Sequence, residues 1–428
     1  MFSARPCSKL VAVVLSCWLL GACRNESRER APSEGPATSE RARLTPPPAP
    51  LPVAVQVAGN AAHGKELMRK YECNRCHDGT GVPPAPLEQH CVHCHQDILA
   101  GKFKASASKL AKWQKNVTSV RDIPSLAATG SRFRADWIER FLLDPHDLRP
   151  ALAQSMPRLK ISASDARDIA AYLTATGDSA APSVQPSGDV TQGRELFETK
   201  GCGTCHRFSG VGELATVPRA DGPVDQQRAV SLAPDLRYAR ERFRTDRIVR
   251  WILAPQSLKP DTLMTPSPVS EREAAEIAHF ILTAPLAAPV PKPVPARLPP
   301  LPRKVAFEEV NERVLMKTCR HCHGNPDVAL GDGGPGNTGG FGFAPRRLNL
   351  SSYSGVAAGL LDEQQQRASV FAKTSDGTPR LVAALLARHA EEAGKPNPEV
   401  RGMPLGLPAL PAEDIQLVET WIAQGRPK

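Results

Sequence analysis

Eight cysteines fall into four pairs of one form, Cys-x-x-Cys-His: CNRCH at 73–77, CVHCH at 91–95, CGTCH at 202–206 and CRHCH at 319–323. Two thiols at this spacing can add to the two vinyl groups of one haem, and the histidine that follows then lies under the iron. On this reading Cys73, Cys76, Cys91, Cys94, Cys202, Cys205, Cys319 and Cys322 are attachment points for four covalently bound haems c. His77, His95, His206 and His323 are their proximal ligands. A zinc ribbon built from Cys73, Cys76, Cys91 and Cys94 is the structural alternative. It has no need of a histidine after every second cysteine, and it leaves an export signal unexplained. No βαβ pattern surrounds any pair, which speaks against a thioredoxin-like dithiol.

The elements that must position these motifs show an internal repeat. Gly64-Lys65-Glu66-Leu67 leads into Cys73 and Gly193-Arg194-Glu195-Leu196 into Cys202, nine residues from Gly to Cys each time. Downstream, Pro124 precedes Asp136 by twelve residues and Pro234 precedes Asp246 by twelve. The segments RADWIERFLLDPHDLRP and RTDRIVRWILAPQSLKP then match, with apolar residues at helical spacing. Each copy reaches a methionine, Met156 or Met264, and six residues later a serine, Ser162 or Ser270, that predicts a helix start. A third copy is looser: a helix over 307–318, the motif at Cys319, Met403-Pro404, and a last helix PAEDIQLVETWI.

From His206 to Met264 is 58 residues, and from His77 to Met156 is 79. The first module is therefore 21 residues longer, and CVHCH at 91–95 reads as an insertion there. This organises the chain as 59–177 with two haems, 189–284 with one and 303–428 with one. A flexible joint, DSAAPSVQPSG at 178–188, separates the first two. Eight prolines in 285–302 predict a stiff extended spacer before the third. The Gly-rich stretch 331–343 has no Gly-Lys-Ser/Thr, so it reads as an irregular loop rather than a phosphate cradle.

With the helix, CxxCH, Pro-Leu segment, Met and final helix in hand, the modules resemble class I c-type cytochromes. The resemblance covers 60–176 and 189–284 well; 305–426 looks more like haem domains appended to large bacterial cytochromes. It implies an all-α fold of three cytochrome c-like modules joined by Pro-rich linkers, with Met156, Met264 and Met403 as distal thioethers. Met264 departs from the family's Met-Pro, being followed by Thr265. Core packing is the other role open to these methionines. Pro124 and Pro234 match the proline whose carbonyl orients the proximal imidazole. The inserted centre has no Met to spare, leaving His63, His90, His93, His146 or an open position for its sixth ligand; His321 reads as simply exposed.

The N-terminus carries an address. Arg5 and Lys9 precede an apolar run, Leu10 to Leu20, too short to span a bilayer, and it ends Leu20-Gly21-Ala22-Cys23. That resembles a bacterial lipobox, which implies a signal peptide at 1–22, a lipid anchor on Cys23 and a disordered tether over 23–58. Arg24 after the anchor favours the outer membrane, again by resemblance to lipoprotein sorting.

The formal charge of +10 falls to +8 on cleavage, and four haems bring roughly eight propionate charges, so a nucleic-acid partner loses its support. Aromatics at 5% are thin for three cores unless the macrocycles fill them. The sequence thus points to a periplasm-facing electron carrier between redox proteins of the cell envelope, and not an enzyme. The alternatives are a haem peroxidase using the inserted centre and a subunit of a respiratory or dehydrogenase complex.

Overall fold

The computed structural model describes residues 58–152, 156–175, 184–219, 221–325 and 346–428. The leader, Cys23, the tether and the Gly-rich stretch at 331–343 lie outside the described residues. The described chain is mostly helical. One two-residue hairpin, Leu360–Leu361 against Arg367–Ala368, departs from an all-α plan. Among the described residues no helix is long and apolar enough to cross a membrane.

The two similar modules are each built on a pair of crossing helices. In the first, Asn60 accepts from the His63 amide at 3.1 Å and opens the helix Ala61–Lys70. Ser162 accepts from the Asp165 amide at 3.0 Å and opens Ala163–Ala175. In the second, Asp189 caps Val190–Thr199, and Ser270 with Glu273 forms a capping box at the head of Glu271–Thr283. Helix pairs meet at the repeated glycine. A β-carbon on Gly64 would fall within contact of the Asp168 carbonyl oxygen, and one on Gly193 within contact of the Glu276 carbonyl oxygen. Leu67 and Leu196, three residues on, are buried behind each crossing.

Backbone oxygen cannot yield as a side chain can, so Gly193→Ala should cost about 1–3 kcal/mol through overpacking. Gly212→Ala should be near neutral, since its β-carbon would meet only Arg194 Nη1 at 3.5 Å. Thermal melts of the two variants test this, and equal melting temperatures would contradict it.

Modules one and two meet through equivalent residues of the repeat. Phe133 and Phe243 pair as an antiparallel bridge, their rings edge to face at 5.3 Å. The Arg134 amide donates to the Arg242 carbonyl at 3.0 Å, and the Arg244 amide to the Arg132 carbonyl at 2.8 Å. Reciprocal contacts between matching residues make this an isologous interface inside one chain.

The third module buries Val310, Val314, Leu315, Leu417, Val418 and Trp421. Its first helix runs as Phe307–Val310, a π-helix Asn311–Cys319 and a last turn Arg320–His323. It adds the helix Arg380–Glu392 and ends on Ala412–Ala423.

The Pro-rich segment before it is fastened rather than free. The Ala287 amide donates to the Gly210 carbonyl at 2.7 Å, and Lys292 pairs with Asp147. Arg297 Nε donates to Glu419 at 3.0 Å, and the Leu301 amide to Thr420 Oγ1 at 2.9 Å. Proline fixes the extended conformation, and the polar residues between the prolines supply the fastening.

Candidate haem sites

Glu72 (φ +52°) and Gly201 (φ +75°) take up the left-handed conformation just before Cys73 and Cys202. That turns the chain out of the preceding helix into the tight turns Cys73–Arg75 and Cys202–Thr204. The amides of Cys76 and His77 both reach back to the Cys73 carbonyl, at 3.2 and 2.9 Å, and those of Cys205 and His206 to the Cys202 carbonyl, at 3.4 and 3.1 Å. One fold of the backbone therefore gathers two thiols and an imidazole. The inserted motif achieves this differently, because the helix Cys91–Leu99 begins on its first cysteine.

Three imidazoles are held alike. His77 Nδ1 donates to the Pro124 carbonyl at 2.8 Å, and His206 Nδ1 to the Pro234 carbonyl at 3.0 Å. His95 Nδ1 faces the carbonyls of Ser119 (3.0 Å) and Val120 (3.2 Å). A proton fixed on Nδ1 leaves the Nε2 lone pair for a metal. The carbonyls serving His95 carry no side-chain signal and were missed in the sequence. Val120 adopts φ +56°, unusual for a β-branched residue, where the chain bends to present them. Burial pulls the pKa of His77, His95 and His206 below the ordinary imidazole value, favouring the neutral form that ligates.

Burial also pushes the Cys73, Cys202 and Cys322 thiols up to about 11 and Cys319 up to about 12. The four cysteines of the ribbon alternative do not converge on one point. Among the described residues, the one group of three or more ligating side chains with donor atoms within 4.8 Å is Asp78, His90 and His93. His90 Nδ1 accepts from the His93 amide at 3.2 Å and caps the helix, so its proton sits on Nε2, facing Asp78 at 3.6 Å. A protonated Nε2 cannot ligate a metal.

The same reasoning sorts the histidines weighed for the inserted centre. His63 is tied to Asp168 at 2.8 Å on the outer face of the first helix pair. His90 is a cap, and His93 bonds Asp78 at 3.0 Å. His146 donates from Nδ1 to the Asp144 carbonyl at 3.0 Å, leaving Nε2 a base that is buried without a hydrogen bond. It stands between Phe141 and Tyr238, at the junction of modules one and two. The apolar cluster around Cys94 is Ile98, Trp113, Phe103, Ala105, Leu110 and Val117, with no methionine in it. By contrast Met156 packs on the first core and Met403 on the third. The Met264 carbonyl accepts from Gln256 Nε2 at 2.8 Å, which anchors that loop beside the second.

A group of arginines absent from the sequence reading tests whether these sites suit a haem. Arg132 and Arg242 are 4% and 6% exposed, and the Nε of each lacks a hydrogen-bond partner. Burial lowers both to about 10, and Arg242 also feels Arg132 and Arg149. Arg149 lies near His77 and Arg242 near His206. The faces of Arg132 and Arg242 rest on Phe133, Phe243 and Trp251, but ring contacts leave each Nε–H without an acceptor. Guanidiniums buried side by side are costly unless an anion joins them. Haem propionates beside His77 and His206 are anions of the right charge, and this donor set fits them. The available signal was the repeated Arg-Phe-Arg at 132–134 and 242–244.

The family model for cytochrome c matches residues 190–285. Over 123 residues, 29% of this chain, the sequence is 29% identical to the Cbb3-type cytochrome c oxidase subunit CcoP of Helicobacter pylori (strain ATCC 700392 / 26695), covering 36% of that protein. The same subunit from strain 52 matches equally, over 35% of its length. The match thus spans about a third of these curated relatives. No solved structure matches.

Proposed function

We propose that this chain, which belongs to the c-type cytochrome family and has a haem electron-transfer role, is a tetrahaem relay passing electrons between redox proteins of the bacterial cell envelope. What carries this reading is the repeated arrangement of a half-buried cysteine pair beside an imidazole whose Nδ1 is held by a carbonyl, seen at His77, His206 and His95. CRHCH at 319–323 supplies the fourth pair. When bound, the haem iron supplies one-electron transfer between its ferrous and ferric states. The chain's residues do the rest. Carbonyls fix the imidazoles of His77, His95 and His206, the thiols would anchor each ring, the thioethers of Met156, Met264 and Met403 would supply second ligands, and the arginines would receive carboxylates.

The division into modules at 59–177, 189–284 and 303–428 belongs to this proposal, as do signal removal after Ala22 and lipidation of Cys23. Similarity to an oxidase subunit supports redox-protein partners in a membrane complex. Purified holoprotein should carry four haems by intact mass and by haem-iron assay. A haem-free, zinc-bound protein would end the reading. Replacing Cys23 by Ser should move the protein from the membrane to the soluble fraction, because one acylated residue is its proposed anchor. Retention on membranes after a salt wash would count against the anchor alone.

A peroxidase-like role for the inserted centre is favoured by one observation: no methionine packs in its apolar cluster, and three of its four candidate histidines are engaged elsewhere. A high-spin ferric signal lost with Cys91 and Cys94 would support it.

A further inference from the structure

Three attachment motifs meet at one place. The Cys76 and Cys91 side chains are neighbours, and Cys322 lies near Cys91. Arg75, buried and paired with Glu72 at 2.9 Å, stands beside all three sulfurs. The His95 and His321 rings lie 6.4 Å apart, so His321 is packed at this junction, not simply exposed as its sequence suggested. Lys160 and Arg346 converge on Glu363, which ties the first module to the third. Module two reaches module one through Phe133, Phe243 and the buried arginines, with a further contact where Arg228 pairs with Asp122 at 3.2 Å, and the thiol neighbour of Cys202 is its own partner Cys205.

From this convergence we infer that the inserted centre at His95 is the bridge for electrons between the first and third modules, in the order His206, His77, His95, His323. The inference rests on the tetrahaem reading. Each thiol is where a ring is bonded to the chain, so neighbouring thiols provide a short path, and tunnelling decays exponentially with path length. In each hop a ferrous centre becomes ferric as its ferric neighbour becomes ferrous; one electron moves, no bond forms or breaks, and no proton is required. A one-electron reductant protein supplies the electron at one end of the chain, and a one-electron oxidant protein removes it at the other.

The insertion is thereby given a purpose that its sequence position does not suggest. It breaks a one-haem plan at the point where the first module must pass an electron to a third that its own haem does not serve.

The test uses full-length holoprotein with a ruthenium photoreductant on a cysteine introduced at Val217, which is 66% exposed on module two and follows Thr216, the residue against Gly203 of the second attachment turn. A flash injects one electron there, and rapid-freeze EPR follows the ferric signal of each haem, assigned with Met→Ala variants. In the wild type the His323 centre should be reduced in a fast phase, and the low-potential centre at His95 passes the electron without holding it. In Cys91→Ser/Cys94→Ser protein carrying three haems, that fast phase should be lost, while transfer from His206 to His77 persists. A fast His323 phase retained in that variant overturns the inference. If the variant does not fold, His95→Met, which raises the potential of the bridging centre, should change the rate of the His323 phase, and an unchanged rate overturns the inference. Wild-type holoprotein with fewer than four haems fails the tetrahaem reading itself, a result the haem assay registers before any flash.

Discussion

Glu391→Ala should destabilise the third module by about 3–5 kcal/mol, the cost of leaving one member of a buried ion pair without its partner. Arg388 is 1% exposed and Glu391 6%. The guanidinium lies 3.4 Å from Glu391 Oε2, and its Nε donates to the Leu407 carbonyl at 2.9 Å. Glu391 Oε1 in turn accepts from the Gly402 amide at 2.7 Å, one residue before Met403. Removing the carboxylate takes the buried counter-charge from Arg388 and releases the loop that presents Met403. The expected result is a lower melting temperature, or unfolding, together with loss of one Met–iron charge-transfer band near the red edge of the spectrum. Glu391→Gln keeps an acceptor for Gly402 but not the charge for Arg388, so it should lose stability and keep the band. An unchanged melting temperature in Glu391→Ala would show that Glu392, 3.6 Å from Arg388 Nε, suffices to hold the cation.

The helix pairs and their caps were legible because they rest on local spacing. Ser162 and Ser270 start helices as the repeat implied, and Pro124 and Pro234 meet the imidazoles as the family resemblance implied, whereas the close approach at Gly64 and Gly193 shows only in the fold. What could not be read was set by contacts distant in sequence. The carbonyls of Ser119 and Val120 serve His95 without any residue-type preference. The arginines at 132 and 242 had no part in the sequence reading, because they are buried where two copies of the repeat pack on each other. His321 was placed on the surface for the same reason: a loop position inside its own motif says nothing of the module that covers it. The Pro-rich segment reads as a spacer until Glu419 and Thr420, over a hundred residues away, are seen to hold it.

Whether the chain only relays electrons turns on the distal positions. Replacing Met156, Met264 or Met403 by Ala should each abolish one Met–iron band and lower one reduction potential, because the thioether favours ferrous iron. A drop on the order of 0.1 V is expected, within the roughly 0.8 V over which axial ligands set haem potentials. The centre at His95 should not move in any of the three variants, because none of these methionines packs in the cluster of Ile98, Trp113 and Phe103. With a histidine as its distal ligand it should also titrate below the three Met-ligated centres. Spectroelectrochemistry of wild type and variants resolves these steps. A relay needs every iron to exchange electrons without binding substrate, so turnover of hydrogen peroxide should be absent in the wild type and appear only where a Met→Ala change opens a distal site. Peroxide turnover by the wild type that disappears in Cys91→Ser/Cys94→Ser would overturn the relay reading in favour of an enzyme. The residues weigh against that result, since Asp78, an exposed acid beside the motif, is bonded to His93 and faces the capped His90.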